Sequence, residues 1–277
     1  MTQVYFIRHI RPNFDLKTLH LLVAKPYKVG VIFKPIPSTN PEDYKDFGKK
    51  AVNAIKWLHD ILKEDCLICA TYGEALQGMV IGKPRADGCP HVLAGTDNGE
   101  KGLMPVKIIE LDDDAKCFRY EDFPVLATLV PRQGTIRHAY NLRDAAIELY
   151  HFSKLPRKVT ALSPGQLESL CAEYLRSKKL LDFLHLPVGR TLRDVDIVGS
   201  VEEQRVYAQV TFANKDDEVQ RKMEKLRGFS GTTAKKYFFA PRSVGPHESD
   251  VTFFAIEDVF KEFDENPALD LILGQAD

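Results

Sequence analysis

Two acidic residues, Asp194 and Asp196, interrupt the apolar run Arg193-Asp194-Val195-Asp196-Ile197-Val198-Gly199. A glutamine and a threonine occupy the next such run, Val206-Tyr207-Ala208-Gln209-Val210-Thr211-Phe212. An unpaired carboxylate is expensive to bury, so acids in apolar strands call for a partner, and a metal ion is one. Side chains alternate along a strand. Asp194, Asp196 and Val198 therefore share one face, and Tyr207, Gln209 and Thr211 share one on the following strand. If the two runs pair as a hairpin in suitable register, Asp196 faces Gln209 and Thr211. A carboxylate and an amide carbonyl are oxygen ligands suited to Mg²⁺ or Mn²⁺. Such an ion could activate a water and neutralise charge on a phosphodiester. Each residue also has an ordinary role open to it: aspartates are common at strand ends, and a glutamine suits an edge strand.

The flanking sequence supplies the elements that would hold this hairpin. Ser163-Pro164-Gly165-Gln166 reads as a capping box with proline in the first turn. Leu167, Leu170, Cys171, Tyr174 and Leu175 then follow with the spacing of an apolar helical stripe. After the hairpin come a helix from Asp217 to Arg227, strands from Tyr237 to Ala240 and from Val251 to Ala255, and a helix from Ile256 to Phe263. Upstream, strands are expected at Val4 to Arg8, Val29 to Phe33, Cys66 to Thr71, Gly78 to Gly82, Val106 to Leu111 and Val125 to Val130. Helices are expected from Asp46 to Lys63 and from Asn141 to His151. A proline-containing linker from Ser153 to Leu162 separates two domains, 1–152 and 163–277. The first reads as a small α+β, barrel-like unit and the second as α/β.

On these residues, the segment from Ser163 to Thr211 resembles the Mrr-type branch of the PD-(D/E)XK nuclease superfamily. The resemblance covers about the last two-fifths of the chain and implies a restriction-endonuclease-like α/β core. It matches Glu168 to the family's helix glutamate, Asp196 to its metal-binding aspartate and Gln209 to the first member of its Q-x-K triplet. The family's catalytic lysine falls on Thr211, which carries no charge. The implied activity is Mg²⁺- or Mn²⁺-dependent hydrolysis of DNA in a restriction role, with Asp196 and Gln209 holding the metal and Asp194 assisting. Three outcomes follow from the missing lysine. Lys215 or Arg205 supplies the charge, or the metal suffices with Thr211 positioning water, or the domain binds nucleic acid without cutting it. A one-site enzyme that cuts both strands would act as a homodimer.

Basic residues suit a phosphate backbone: Arg176, Lys178 and Lys179 end one helix, Arg221, Lys222, Lys225 and Arg227 stud the next, and Lys235 and Lys236 precede a strand. Solvated helix faces are the commoner meaning of such runs, and Glu218 with Lys222 forms an ordinary i,i+4 pair. In the first half, Ala70-Thr71-Tyr72-Gly73, Gly78 to Lys83, Val106 to Leu111 and Phe123 to Leu126 are similar to PUA-like domains of the EVE and YTH kind. That resemblance implies a reader of flipped or modified bases. Tyr72, Trp57, Tyr5 and Phe33 are its candidate pocket aromatics, with Arg8, Arg11, Lys83, Arg85, Arg132 and Arg137 as phosphate contacts. A competing resemblance is the histidine-phosphatase start at Val4-Tyr5-Phe6-Ile7-Arg8-His9-Ile10, where Ile10 replaces the usual glycine and His138 is the available second histidine.

Composition bounds these readings. Across 277 residues the net charge is -1, so a wholly electrostatic nucleic-acid binder is excluded, though a local basic face is not. No apolar run reaches the ~20 residues of a membrane span, and the first residues do not read as a signal peptide. Five scattered cysteines fit a reducing, cytoplasmic setting. Cys66 and Cys69 would point to opposite faces of a strand and could not chelate one ion together.

Overall fold

A computed structural model describes residues 2–10, 13–33, 35–97, 102–130, 136–189, 192, 194–229, 234–244 and 250–273. The chain divides into two compact units, Met1–Leu155 and Pro156–Asp277. The division falls inside the stretch expected to be a linker. The chain is mixed α+β, and among the described residues no helix is long and apolar enough to cross a membrane.

The first unit runs β1 (Gln3–Arg8), α1 (Leu16–Val23), β2 (Lys28–Ile32), α2 (Lys49–Ile61), β3 (Cys66–Thr71), β4 (Gly78–Gly82), β5 (His91–Asp97), β6 (Leu103–Glu110), β7 (Lys116–Arg119), α3 (Pro124–Leu129), β8 (Ile136–His138) and α4 (Arg143–Phe152). One sheet has the order β7-β4-β3-β1-β8 and a second has β2-β6-β5. Among the described residues of this unit only β1 and β3 pair in parallel. Both sheets contribute to one apolar core, with Ile7 and Ile68 from the first and Val106 and Ile108 from the second. Ala51, Ile55 and Leu58 of α2 join it from a single helical face.

Three expectations for this unit are corrected. The described strands form two open sheets and close no barrel. Val125 to Val130 is not a strand: Pro124 opens α3 there, its fixed φ suiting the first helical turn. The helix expected from Asp46 is divided at Gly48, whose φ of +87° ends a 3-10 segment, Pro41–Phe47, before α2 begins.

The second unit runs α5 (Pro164–Ser177), β9 (Phe183–Leu184), β10 (Ile197–Val201), β11 (Gln204–Val210), α6 (Asp216–Arg227), β12 (Lys235–Ala240), β13 (Thr252–Ala255), α7 (Ile256–Phe263) and α8 (Pro267–Leu273). Its sheet is ordered β13-β12-β11-β10-β9. The β9, β10 and β11 pairings are antiparallel, whereas β11, β12 and β13 run parallel, with α6 as the crossover from β11 to β12. Alternation along the strands divides the core. Tyr207 and Phe238 face Val219, Met223 and Leu226 of α6. The next residue on β12, Phe239, faces the other way and meets Tyr174 of α5 and Phe254. The capping box at Ser163 forms as expected, with both reciprocal bonds between Ser163 and Gln166 in place.

Candidate functional site

Asp194 and Asp196 do not lie within a strand. They precede β10, which begins at Ile197. The register nevertheless carries through. Ile197 pairs with Ala208, so Asp196 stands opposite Gln209, and the Asp196 N–H donates to the Ala208 carbonyl at 2.9 Å. The two side chains meet, with Gln209 Nε2 donating to Asp196 Oδ2 at 2.5 Å. The same oxygen accepts the Val210 N–H at 2.8 Å, and Gln209 Nε2 also donates to the Val210 carbonyl at 3.1 Å. Gln209 and Thr211 are 8% and 4% exposed, unusual burial for polar residues of a strand end.

These residues line a cavity of about 470 Å³ together with Pro164, Leu167 and Glu168 of α5, and with Glu218, Arg221, Lys222 and Lys225 of α6. Glu168 and Asp196 approach the same ground from different elements. Both raise the pKa of the buried Cys171 thiol, after burial itself, so their negative fields overlap there. Gly189 joins them: its N–H donates to the Asp196 carbonyl at 2.8 Å, and its α-carbon faces Glu168 Oε2 so closely that an added Cβ would lie 2.5 Å from it.

Helix α6 brings cations to the opposite wall. Lys222 Nζ donates to Thr211 Oγ1 at 2.7 Å and pairs with Glu218 at 3.5 Å. Lys225 pairs with Asp194 at 2.6 Å. Arg221 is exposed on the same lining. The contact from Lys222 to Thr211 is the feature that sequence reasoning missed. In the sequence Lys222 shows only as one of the basic residues of this helix and as an i,i+4 partner of Glu218, both common on any helix. Lys215 is exposed at the start of α6 and does not line the cavity, and Arg205 of β11 donates to its neighbour Tyr207. Asp194, expected to assist with metal, lines the same cavity and pairs with Lys225.

The donor set is all oxygen. Asp196 Oδ2 and the Val210 carbonyl converge on one amide nitrogen, and half a turn of the Gln209 amide would bring Oε1 to the same space. With Glu168 on the lining, these atoms suit a hard cation such as Mg²⁺ or Mn²⁺. Among the described residues no cluster of three or more His, Cys, Asp or Glu side chains that could hold a metal ion assembles.

In the first unit the expected base pocket is not assembled as an open cage. Tyr72 is fully buried, stacked on His9 at 4.8 Å, with its hydroxyl donating to the Lys28 carbonyl. Trp57 packs edge-on against Tyr5 at 4.8 Å. Both rings have core partners. Lys83 pairs with Asp65, and Arg85 with Asp87 and Glu110. Arg11, Arg132 and Arg193 lie outside the described residues. His9 does not stand ready for phosphorylation. It is completely buried, its Nδ1 donates to the Thr71 carbonyl, and its Nε2 accepts the Gly30 N–H at 3.0 Å. That arrangement fixes a neutral imidazole, and burial lowers its pKa to about 4.

Comparison with family models, with curated proteins and with solved structures finds no match to this chain.

Proposed function

We propose that the second unit is a metal-dependent endonuclease core of the PD-(D/E)XK kind, hydrolysing phosphodiester bonds of DNA. The observation that carries this reading is the meeting of Asp196 and Gln209 on the wall of a cavity that Glu168 also lines and that α6 faces with three basic residues. The order of elements supports it: a capped helix, an antiparallel strand pair with the acid immediately before one strand and the amide on the other, and a helical crossover to parallel strands. Asp196, Gln209 and Glu168 would hold Mg²⁺ or Mn²⁺, which when bound supplies a nucleophilic water and charge neutralisation. The protein's own part is to orient that water against the phosphate. Arg221 and Lys225, with Lys215 beyond the rim, would draw the backbone in by charge. The first unit would select the substrate, including DNA with modified bases in the PUA-like reading, through surfaces other than Tyr72 and Trp57. Cutting both strands would call for a homodimer, and the cysteine usage fits a cytoplasmic setting.

A second reading is a nucleic-acid-binding protein that does not cut. The engagement of Asp196 Oδ2 by two protein donors favours it. The deciding experiment is incubation of unmodified and methylated duplex DNA with Mg²⁺ or Mn²⁺, beside Asp196→Ala. Cleavage that is lost in the variant supports the nuclease. Tight binding without cleavage in both proteins overturns it in favour of the binder.

A further inference from the structure

We infer that Lys222 supplies the cation of this site, delivered from α6 rather than from the strand position that Thr211 occupies; the inference rests on the nuclease reading and names a residue that reading lacked. The geometry assigns it in three steps. First, Thr211 lies two residues after Gln209 on the cavity wall, and Lys222 Nζ reaches its Oγ1 at 2.7 Å, so an ammonium stands one hydrogen bond beyond the threonine side chain. Second, the ammonium is held in place. Glu218 lies one turn back on the same helix at 3.5 Å, and the Thr211 hydroxyl is itself oriented by the Ala213 N–H at 3.0 Å. Third, three of the other cations are placed otherwise, and the fourth, Arg221, lines the cavity from an exposed position. Lys225 is engaged by Asp194, Arg205 lies at the far end of β11, and Lys215 is off the lining.

Two of the three positions around Thr211 Oγ1 are taken by donors, Ala213 N–H and Lys222 Nζ. The hydroxyl therefore turns its own proton outward and can only donate. It cannot act as a base toward the attacking water. In hydrolysis the water oxygen bonds to phosphorus while the bond to one bridging oxygen breaks. One proton leaves the water for solvent, and one from solvent goes to the departing oxygen. Negative charge gathers on the non-bridging oxygens in between. A fixed ammonium beside them is most valuable at that stage, and Lys222 is the group so placed.

The test compares wild type with Lys222→Met, Lys222→Arg and the double variant Thr211→Lys/Lys222→Met. Methionine keeps the apolar stem that packs along the helix, and thermal melts confirm that each variant folds. Cleavage is measured with Mg²⁺, and duplex binding is measured with Ca²⁺ over a salt series. Lys222→Met is expected to lose about 10²- to 10³-fold in kcat and to reduce the salt slope of binding by about one. The double variant, with its lysine returned to the strand, is expected to recover most of the rate. Unchanged cleavage in Lys222→Met overturns the inference while leaving the nuclease reading intact. If no protein cuts, the nuclease reading fails, and an unchanged salt slope in Lys222→Met then overturns the assignment as well.

Discussion

The carboxylate of Asp196 and the amide of Gln209 are joined at 2.5 Å, and the amide nitrogen lies where two oxygens, Asp196 Oδ2 and the Val210 carbonyl, converge. In the nuclease reading, a neutral donor thus fills the position a cation would take. Replacing it with an acceptor exposes the consequence. In Gln209→Glu two carboxylates face each other and the amide donor to Asp196 Oδ2 is lost, while the Val210 N–H remains. The variant is expected to be about 1–3 kcal/mol less stable than wild type in a chelator. Millimolar Mg²⁺ should recover most of that loss, because the ion replaces the missing donor. Thermal or urea melts with and without Mg²⁺ check this. Equal small shifts in both proteins would show that the oxygens do not form a cation site.

Asp194 and Asp196 are two residues apart and have different fates. The exposed Asp194 pair with Lys225 is of the kind worth at most about 1 kcal/mol. Asp194→Asn is therefore expected to keep cleavage within about fivefold of wild type. Asp196→Ala removes the acceptor of the Val210 N–H and is expected to abolish cleavage. A paired assay of the two variants tests the distinction, and comparable losses would restore Asp194 to the site.

Gly189 connects the two acids. Its φ of +84° is left-handed, and a Cβ there would press on Glu168 Oε2. Gly189→Ala is expected to cost about 1–2 kcal/mol through backbone strain and to push the Glu168 carboxylate from its place. The diagnostic result is an increased Mg²⁺ requirement for cleavage at a temperature where the variant is fully folded. An unaltered Mg²⁺ dependence would mean that Glu168 does not serve the metal.

The local parts of this site were legible from sequence. Ser163 and Gln166 announce the start of α5, and α7 begins at Ile256 and ends at Phe263 as its apolar spacing indicates. Pairing across the hairpin was legible only as a possibility, because register is set by partners that a single strand does not reveal. Asp194 and Asp196 looked like strand residues since Val195 and Ile197 flank them, yet the ladder begins one residue after Asp196. Lys222 was invisible in its role. Its contact with Thr211 spans 11 residues and depends on how α6 crosses the sheet. The open sheets of the first unit were hidden for the same reason, since closure is a property of long-range pairing. The run from Val125 to Val130 shows the remaining ambiguity: a short apolar segment suits a strand or a helix, and Pro124 decides for the helix.

His9 offers a pH test in the first unit. Its imidazole is neutral in the folded chain, with a pKa lowered to about 4 by burial, against 6.5 for an ordinary histidine. A group that binds its proton more weakly when folded stabilises the fold above the unfolded pKa. That contribution is lost as pH falls from 6.5 toward 4, because protonation then favours the unfolded chain. The loss amounts to roughly 3 kcal/mol over this window. His9→Gln keeps a donor for the Thr71 carbonyl and an acceptor for the Gly30 N–H but does not titrate. It is expected to be less stable than wild type at pH 7 and to show a flatter decline between pH 6.5 and 4. Trp57, the chain's single tryptophan, packs on Tyr5 within this unit, so its fluorescence reports the unfolding directly. Urea titrations across that pH range provide the comparison. Parallel declines in the two proteins would show that His9 is not the group that titrates.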